Sequence, residues 1–247
     1  MKTPKLRLDE LLVERRLAES TSKAQALIMA GVVFAGEQKL TSAGGKVAAD
    51  LDVTVRGAEH PWVSRGGLKL AHGLKHFPFD PKGRACLDLG SSTGGFTDVL
   101  LTGGAAKVYA VDVGYGQLAH KLRTDARVEV LERTNARTLD AELVPEPISA
   151  IVCDASFIGL RTILPAAMAL TTPDAWLIAL IKPQFEVGKD RVGEKGVVRD
   201  PALHAEVCET ITAWMNDQPG WRVVGVTQSP ITGPEGNIEF LMGAARV

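Results

Sequence analysis

Two candidates for acid–base chemistry stand where apolar segments end. Lys182 follows the apolar run Ala175–Ile181, and Asp154 follows the run SAIVC. Placing a charge there is costly, so we expect each group to have a partner or a function. A lysine amine that is shielded from water is favoured in its neutral form, which can accept a proton. This pattern predicts general-base chemistry on a weak nucleophile such as a hydroxyl group.

Two further charged residues are candidates for the same site. Glu239 lies between two apolar residues in an alternating segment, which predicts that its side chain points away from them. Lys69 lies in SRGGLKLAHGL, a predicted helix just before the first strand of the large domain. We expect Lys182 to accept the proton, Asp154 and Glu239 to orient it, and Lys69 to position the substrate or tune the local charge.

A glycine-rich turn indicates the kind of cofactor. The segment DLGSSTGGF, residues 88–96, lacks the G-x-G-x-x-G spacing of dinucleotide-binding folds and the G-K-[ST] sequence of phosphate loops. Its first residue, Asp88, suits a positively charged ligand better than a pyrophosphate. S-adenosylmethionine carries both an ammonium and a sulfonium group, so it is the predicted cofactor.

Two polar residues after the next strands complete the predicted cofactor site. Asp112 ends the second strand, where a carboxylate can accept hydrogen bonds from both ribose hydroxyls. Asn135 follows the third strand and is a candidate for the adenine, although an asparagine in a loop is often only a turn residue. The predicted set is Asp88, Gly90, Ser91, Ser92, Thr93, Gly94, Phe96, Asp112 and Asn135.

The elements that position these residues alternate between strand and helix from Arg84 onward. Strands are predicted over RACLDLG, KVYAVDVG, VEVLE, SAIVCDASF, AWLIALIKP, WRVVGVTQS and NIEFLMGAARV. Helices lie between several of them, and one begins at Asp200 with an Asp-Pro pair. This order predicts an α/β fold of the Rossmann-like class I methyltransferase type, with a mostly parallel seven-stranded sheet. The ligand is expected at the carboxyl ends of its strands.

A smaller module precedes this domain. RLDELLVERRL predicts an amphipathic helix, and Ser22 with Gln25 forms the capping-box pattern of a second helix that ends at Gly31. VVFAGEQ and LDVTV predict short strands. We expect a small α+β domain over residues 1–58, a linker over 59–63 that contains Trp62, and the large domain over 64–247.

Composition narrows the class of protein. The chain has 247 residues, of which 45% are hydrophobic and 23% charged, as in an ordinary globular protein. It has no apolar run long enough to cross a membrane and no secretory signal, so we expect a cytoplasmic protein without membrane contact. Its three scattered cysteines predict neither a metal site nor a redox motif. The net charge is +4 over residues 1–75 and −5 over 76–247, which suggests a polyanionic partner for the first part.

Two resemblances make these expectations specific. Residues Leu6–Val55, above all RLDELLVERRLAESTSKAQALIMAGVVF, resemble an S4 RNA-binding domain. Lys69, Asp154, Lys182 and Glu239 resemble the K-D-K-E set of FtsJ-like RNA 2′-O-methyltransferases. The blocks WVSRGGLKL, LDLGSSTGGFTDVLL, CDASFI, LIKPQFEVGK, KGVVRD and NIEFL extend the likeness to the TlyA, or haemolysin A, family over nearly the whole chain. Cys86 and the linker sequence HPWV depart from the pattern.

This resemblance implies an activity, a cofactor and a partner. It implies methylation of cytidine 2′-hydroxyls in ribosomal RNA, of the small subunit, the large subunit or both, from S-adenosylmethionine and without a metal. In the first module the implied RNA contacts are Arg7, Arg15, Arg16, Lys23 and Gln25. In the large domain we add Arg65, and Lys189 and Arg191 in the loop Glu186–Asp200, which we expect to be a mobile flap on the RNA side.

Other interpretations stay open at this point. The lysine–aspartate pair could be a structural ion pair, and the exposed arginines a solvated helix face. One alternative is an RNA-binding assembly factor without catalysis, which the intact lysine and aspartate disfavour. A second is a membrane-lytic protein, which the lack of an apolar span disfavours. A third is a dehydrogenase, which the spacing of the glycine turn disfavours. Oligomeric state is not indicated.

Overall fold

The structure is a computed structural model that describes residues 4–55 and 60–247. The chain divides into two compact units, Met1–Pro61 and Trp62–Val247. The predicted linker, residues 59–63, spans this division, and residue 59 lies outside the described residues.

The first unit contains two helices and two small sheets. Strands β1 (Lys5–Arg7) and β4 (Lys46–Ala48) form one antiparallel pair, while β2 (Val33–Ala35) pairs with β3 (Gln38–Lys39) and with β5 (Thr54–Val55). Helices α1 (Leu8–Glu14) and α2 (Thr21–Met29) bury their apolar faces between them. The core contains Leu8, Leu11, Leu12, Ala24, Ile28, Val33 and Val53.

Both helices differ from the prediction at one end. The first ends at Glu14 rather than continuing through RRL, because Arg16 has a φ of +58° and the next two amides both donate to the Leu12 carbonyl. The second begins two residues earlier than predicted, and the assignment of Ser22 as its N-cap was wrong. Ser20 is the N-cap, since its backbone is extended and its side chain accepts from the Lys23 amide.

The second unit is the predicted α/β fold, which its sheet confirms. Seven strands lie in the order β11-β12-β10-β9-β6-β7-β8, and only β12 is antiparallel to its neighbours. The strands are β6 (Ala85–Leu89), β7 (Lys107–Val111), β8 (Val128–Leu131), β9 (Ile148–Cys153), β10 (Thr171–Ile181), β11 (Trp221–Gln228) and β12 (Phe240–Arg246).

Helices cover both faces of this sheet. On one face lie α3 (Gly66–His76), α4 (Gly95–Thr102) and α5 (His120–Arg123), and on the other lie α6 (Leu160–Ala169) and α8 (Pro201–Asn216). The short helix α7 (Pro183–Glu186) follows β10 directly. The predicted Asp-Pro start of α8 is confirmed, because the Asp200 side chain accepts from the Ala202 amide.

The chain order reverses at the middle of the sheet and opens a cleft there. From β6 the chain proceeds to β7 and β8 on one side, whereas β9 and β10 lie on the other. In open parallel sheets, ligands bind at the carboxyl ends of the strands at such a switch point. Among the residues that the structure describes, none of the helices combines the length and apolar character that a membrane crossing requires.

Candidate active site

A cleft at the carboxyl ends of β6, β7, β9 and β10 consists of two adjoining cavities. Their volumes are about 440 and 640 Å³, a size typical of small-molecule sites. Four residues lie on the walls of both: Gly90, Ser92, Asp154 and Ser156. Three of the acid–base candidates, Lys69, Asp154 and Lys182, line the smaller cavity. The larger cavity contains Asp112 and Asn135, the residues predicted for the nucleoside of the cofactor.

The structure brings all four acid–base candidates together at the smaller cavity. Lys69 Nζ lies 2.7 Å from Glu239 Oε2 and 3.4 Å from Asp154 Oδ2. Lys182 Nζ lies 2.7 Å from Asp154 Oδ1. Asp154 therefore links the two lysines, and two ammonium groups are balanced by two carboxylates within one contact network.

The contacts of Lys182 explain how a charge can end an apolar strand. Its side chain is 5% exposed and follows β10 at the start of α7. The Nζ atom donates to the Ser156 Oγ atom at 2.9 Å and to the Asp154 backbone oxygen at 3.2 Å. Together with the Asp154 carboxylate, these oxygens replace the water that the buried amine loses.

Glu239 is the most buried member of the cluster, with 1% of its surface exposed. It lies just before β12 rather than inside it, which corrects the predicted strand start. Gly233 packs directly against its carboxylate, so that a Cβ atom at this position would overlap Glu239 Oε1. A larger residue at 233 would displace the carboxylate from Lys69.

Asp112 lies on the wall of the larger cavity, where the sequence places a ribose-binding carboxylate. Its Oδ2 accepts from the Ser92 amide at 2.8 Å, and its Oδ1 accepts from the Gly114 amide at 2.7 Å. Two backbone donors thus fix the carboxylate, and each oxygen keeps a lone pair for a ligand hydroxyl. These residues fit the ribose of a nucleoside cofactor.

Asn135 also lies on the wall of the larger cavity. Its Oδ1 accepts from the Arg137 amide at 3.1 Å and from Arg137 Nε at 3.2 Å. Because the amide oxygen makes both contacts, the amide N–H donors are the groups suited to an acceptor on a base. The turn-residue interpretation also holds, since Asn135 caps a short 3₁₀ helix.

Two glycines of the turn are required by the packing of neighbouring residues of the chain. Gly90 has a φ of +80°, and a Cβ atom there would lie 2.9 Å from the Ala155 Cα. Gly94 has a φ of +96°, and a Cβ atom there would overlap Leu122. Gly94 lines neither cavity, whereas five of the predicted turn residues line the smaller one: Gly90, Ser91, Ser92, Thr93 and Phe96.

Asp88 lies beneath the turn rather than on a cavity wall. It is fully buried, and Thr97 Oγ1 donates to its Oδ2 at 2.6 Å. Burial raises the pKa of Asp88 to about 7, an effect that the Thr97 hydrogen bond opposes and the nearby Asp154 carboxylate reinforces. Its carboxyl group therefore supports the turn from inside.

The predicted RNA contacts of the first unit fall into two groups. Arg7 makes two hydrogen bonds with Asp9, at 3.0 and 2.7 Å, and Gln25 donates to the same carboxylate at 2.9 Å. These bonds, from Arg7 first, lower the pKa of the buried Asp9 to about 2. In the second group Arg15 donates to the Ala49 oxygen, and all three members are exposed: Arg15, Arg16 and Lys23.

The predicted RNA contacts of the second unit are separated. Arg65 lies on the wall of the smaller cavity and donates to the Thr232 oxygen. Arg191 forms a bidentate pair with Glu206, at 2.6 and 2.7 Å. The side chain of Lys189 lies outside the described part of the structure.

The loop Glu186–Asp200 is attached to the rest of the unit at both ends. The Glu186 carboxylate accepts from the Leu160 amide at 2.7 Å, at the first turn of α6. The side chain of buried Asn237 accepts from the Val198 amide and donates to the Gly196 oxygen, both at 3.1 Å. These contacts connect the loop to the segments that carry Ser156 and Glu239.

Several residues of the cleft were missed by the sequence analysis. Ser156 is the most informative, because it contacts Lys182 and lies on both cavities. Others line the cleft from loops: Ser64, Gln117, Thr134, Phe157, Gly233 and Pro234. A serine two residues after a strand-end aspartate was the available signal. Within residues 4–55 and 60–247, no group of three His, Cys, Asp or Glu side chains could hold a metal ion.

The second unit matches a known protein family. Residues 62–246 match the family described as FtsJ-like methyltransferase. The chain belongs to this family. The predicted methyltransferase fold and enzymatic class are thereby confirmed.

Individual relatives extend the likeness to the first unit. A Mycobacterium tuberculosis protein, "16S/23S rRNA (cytidine-2'-O)-methyltransferase TlyA", is 48% identical over 96% of this FtsJ-like chain and 88% of its own length. "Hemolysin A" of Brachyspira hyodysenteriae is 42% identical, with coverage of 96% and 98%. A solved Streptococcus thermophilus structure described as a "putative hemolysin" has a TM-score of 0.76 and 40% identity, and the match covers 99% of this chain and 90% of the other. The predicted TlyA resemblance is confirmed.

Proposed function

We propose that the protein transfers a methyl group from S-adenosylmethionine to the ribose 2′-hydroxyl of cytidine in ribosomal RNA. One observation carries this proposal: Lys69, Asp154 and Lys182 line one cavity beside a nucleoside-sized one, and Glu239 joins their contact network through Lys69. The name of the Mycobacterium tuberculosis relative gives the same chemistry for that protein.

The donor is assigned to the larger cavity. Asp112 would bind its ribose and Asn135 its adenine, with the turn residues Ser92 and Thr93 toward the smaller cavity. When bound, S-adenosylmethionine supplies a methyl group on a positively charged sulfur. Asp112 and Asp154 are the two carboxylates on the wall of the larger cavity, to which this cationic cofactor is assigned.

Lys182 is assigned as the proton acceptor. A ribose hydroxyl becomes a strong nucleophile only when its proton is removed, and a neutral amine at the cleft can take it. Asp154 orients Lys182 through a 2.7 Å contact, and Glu239 holds Lys69 next to the same carboxylate. The low exposure of these four side chains limits competing water at the reacting hydroxyl.

The first unit is proposed to bind the RNA. Its likeness to an S4 domain over Leu6–Val55 and the exposed cations Arg15, Arg16 and Lys23 support this assignment. Arginine and lysine bind phosphates, and double-stranded RNA is recognised mainly through its backbone and 2′-hydroxyls. Because Arg7 and Gln25 bind Asp9, we assign them a role in holding α1 and α2 together as well.

The test is methyl transfer from labelled S-adenosylmethionine to ribosomal RNA and to isolated ribosomal subunits, with mapping of 2′-O-methylated positions. Lys182→Ala is expected to lower the single-turnover rate by about 10²-fold or more. Lys107→Ala is the matched control. Lys107 is the first residue of β7, so it lies at the amino ends of the strands, away from the cleft at their carboxyl ends, and it pairs with Glu146.

Two results would contradict the proposal. Wild-type rates in Lys182→Ala would remove this lysine as the base. RNA binding without methylation of any ribosomal RNA would favour a non-catalytic assembly factor. Calorimetric binding of S-adenosylmethionine to both variants separates lost chemistry from lost folding.

A further inference from the structure

The surroundings of Lys182 contain one group that can reverse its hydrogen-bonding direction. The three oxygens near Nζ are Ser156 Oγ at 2.9 Å, the Asp154 backbone oxygen at 3.2 Å and Asp154 Oδ1 at 2.7 Å. A backbone carbonyl and a carboxylate can only accept hydrogen bonds, whereas a hydroxyl both donates and accepts. Of these three partners, Ser156 alone can stay bonded to Lys182 in both protonation states of the amine.

The donors and acceptors around the amine define which way the Ser156 hydroxyl points. As an ammonium, Lys182 donates hydrogen bonds to Ser156 Oγ and to the Asp154 backbone oxygen, while Asp154 Oδ1 lies in ion-pair contact outside hydrogen-bonding geometry. A neutral amine has two donors and one lone pair. Neither Asp154 oxygen can donate to that lone pair, so the lone pair faces the Ser156 hydroxyl, which donates its proton toward Nζ.

Ser156 also lies at the junction of the two cavities. Its residue is exposed and lines both cavities, whereas Lys182 is buried and lines only the smaller one. Lys69 has no comparable arrangement, because the partners described for its Nζ are the carboxylates of Asp154 and Glu239. At the junction of the cavities, the Ser156 hydroxyl is therefore a group through which a proton can reach the Lys182 amine.

We propose that Ser156 relays the proton of the substrate hydroxyl to Lys182, an inference that rests on the function proposed above. The substrate O–H bond breaks as its proton passes to Ser156 Oγ, while the proton of Ser156 passes to Lys182 Nζ. The freed electron pair forms the oxygen–methyl bond, and the sulfur keeps the electrons of the broken sulfur–methyl bond. Ser156 ends the step as a neutral hydroxyl, and Lys182 ends it as an ammonium that returns its proton to solvent.

A matched pair of variants tests the relay. Ser156→Thr keeps the hydroxyl, and Ser156→Val replaces it with a methyl group in a side chain of the same shape. Single-turnover methylation of ribosomal RNA is measured at the pH-independent maximum, in mixtures of H₂O and D₂O. We expect Ser156→Val to slow the step roughly tenfold or more and Ser156→Thr to restore most of the rate.

The isotope dependence separates a relay from a positioning role. Two protons in flight give the wild type and the threonine variant a curved dependence of rate on deuterium fraction, and the valine variant a linear one. An unchanged rate in Ser156→Val, or a slower rate with unchanged curvature, overturns the relay and leaves Ser156 without a proton-transfer role. If S-adenosylmethionine binding shows that the valine variant is misfolded, Ser156→Ala takes its place with the same two criteria.

The same experiment distinguishes failure of the relay from failure of the proposed function. A wild-type enzyme that methylates RNA and depends on Lys182, but not on Ser156, retains the proposed function and loses the relay. A wild type without activity, or activity that survives Lys182→Ala, removes the function or its base and the relay with it.

Discussion

Removing the carboxylate of Glu239 should destabilise the second unit far more than removing an exposed partner does. Glu239 is 1% exposed, Lys69 is 6% exposed, and their charged atoms lie 2.7 Å apart. At an effective dielectric constant of about 20, two unit charges at this distance attract by about 6 kcal/mol. Desolvation of both groups offsets much of this attraction, but the variant leaves a buried ammonium behind.

We expect Glu239→Ala to lower the free energy of unfolding by about 3 kcal/mol. Loss of one partner of a buried pair typically costs about 3–5 kcal/mol. The lower end applies here because Asp154, 3.4 Å from Lys69 Nζ, still compensates part of the charge. The double variant Lys69→Met/Glu239→Leu should cost less than the two single changes together, by about 0.5–3 kcal/mol.

Urea unfolding followed by tryptophan fluorescence is the assay. All four tryptophans of the chain lie at or beyond residue 62, so their signal reports the second unit. Glu206→Ala is the control, because its pair with Arg191 is about half exposed and should contribute less than about 1 kcal/mol. A loss below about 1 kcal/mol in Glu239→Ala, or strictly additive costs in the double variant, would refute the reasoning.

Three further predictions concern groups outside this pair. The pKa of Asp88 is about 7 in the folded chain against an ordinary 3.8, so the folded chain binds this proton more tightly and its stability should fall as pH rises from about 4 to about 7. Urea unfolding should give a lower free energy of unfolding at about pH 8 than at about pH 5 in the wild type, and this difference should be absent in Asp88→Asn. The pKa of Asp9 is about 2, so the stability that its Arg7 partner provides should be lost as pH falls from about 4 to about 2. The protection factors of the α1 amides, which are exchange rates corrected for the intrinsic effect of pH, should fall over that range, and much less so in Asp9→Asn. Gly94→Ala should lower the free energy of unfolding by about 1–3 kcal/mol, measured in urea, because the new methyl group meets Leu122 at a φ of +96°.

Periodic apolar segments made the second unit predictable. All seven strands could be located because each is a short apolar run that ends in a polar residue or a turn, and the alternation with helices determined the parallel sheet. Lys182 and Asp154 could be paired for the same reason, since adjacent parallel strands end at the same edge.

Contacts between distant loops were not predictable. The Ser156 hydroxyl has no periodic signal, and its contact with Lys182 depends on the turn that follows β9. The Ser22 cap failed because two serines compete at the start of α2, and the extended backbone of Ser20 decides between them. Asp88 was expected to meet a ligand, but a strand-end side chain can point under a turn as well as over it, and here it meets Thr97.

The position of β12 ties catalytic competence to the completion of the whole sheet. This strand lies between β10 and β11, runs against both, and follows directly after Glu239. A folding intermediate in which β12 has not yet inserted would contain Lys69 without its main counter-charge and β10 with an unpaired edge. Such a species would be inactive and would expose a long apolar strand edge to other chains. Methyl-transfer activity should therefore appear during refolding only after β12 has inserted between β10 and β11.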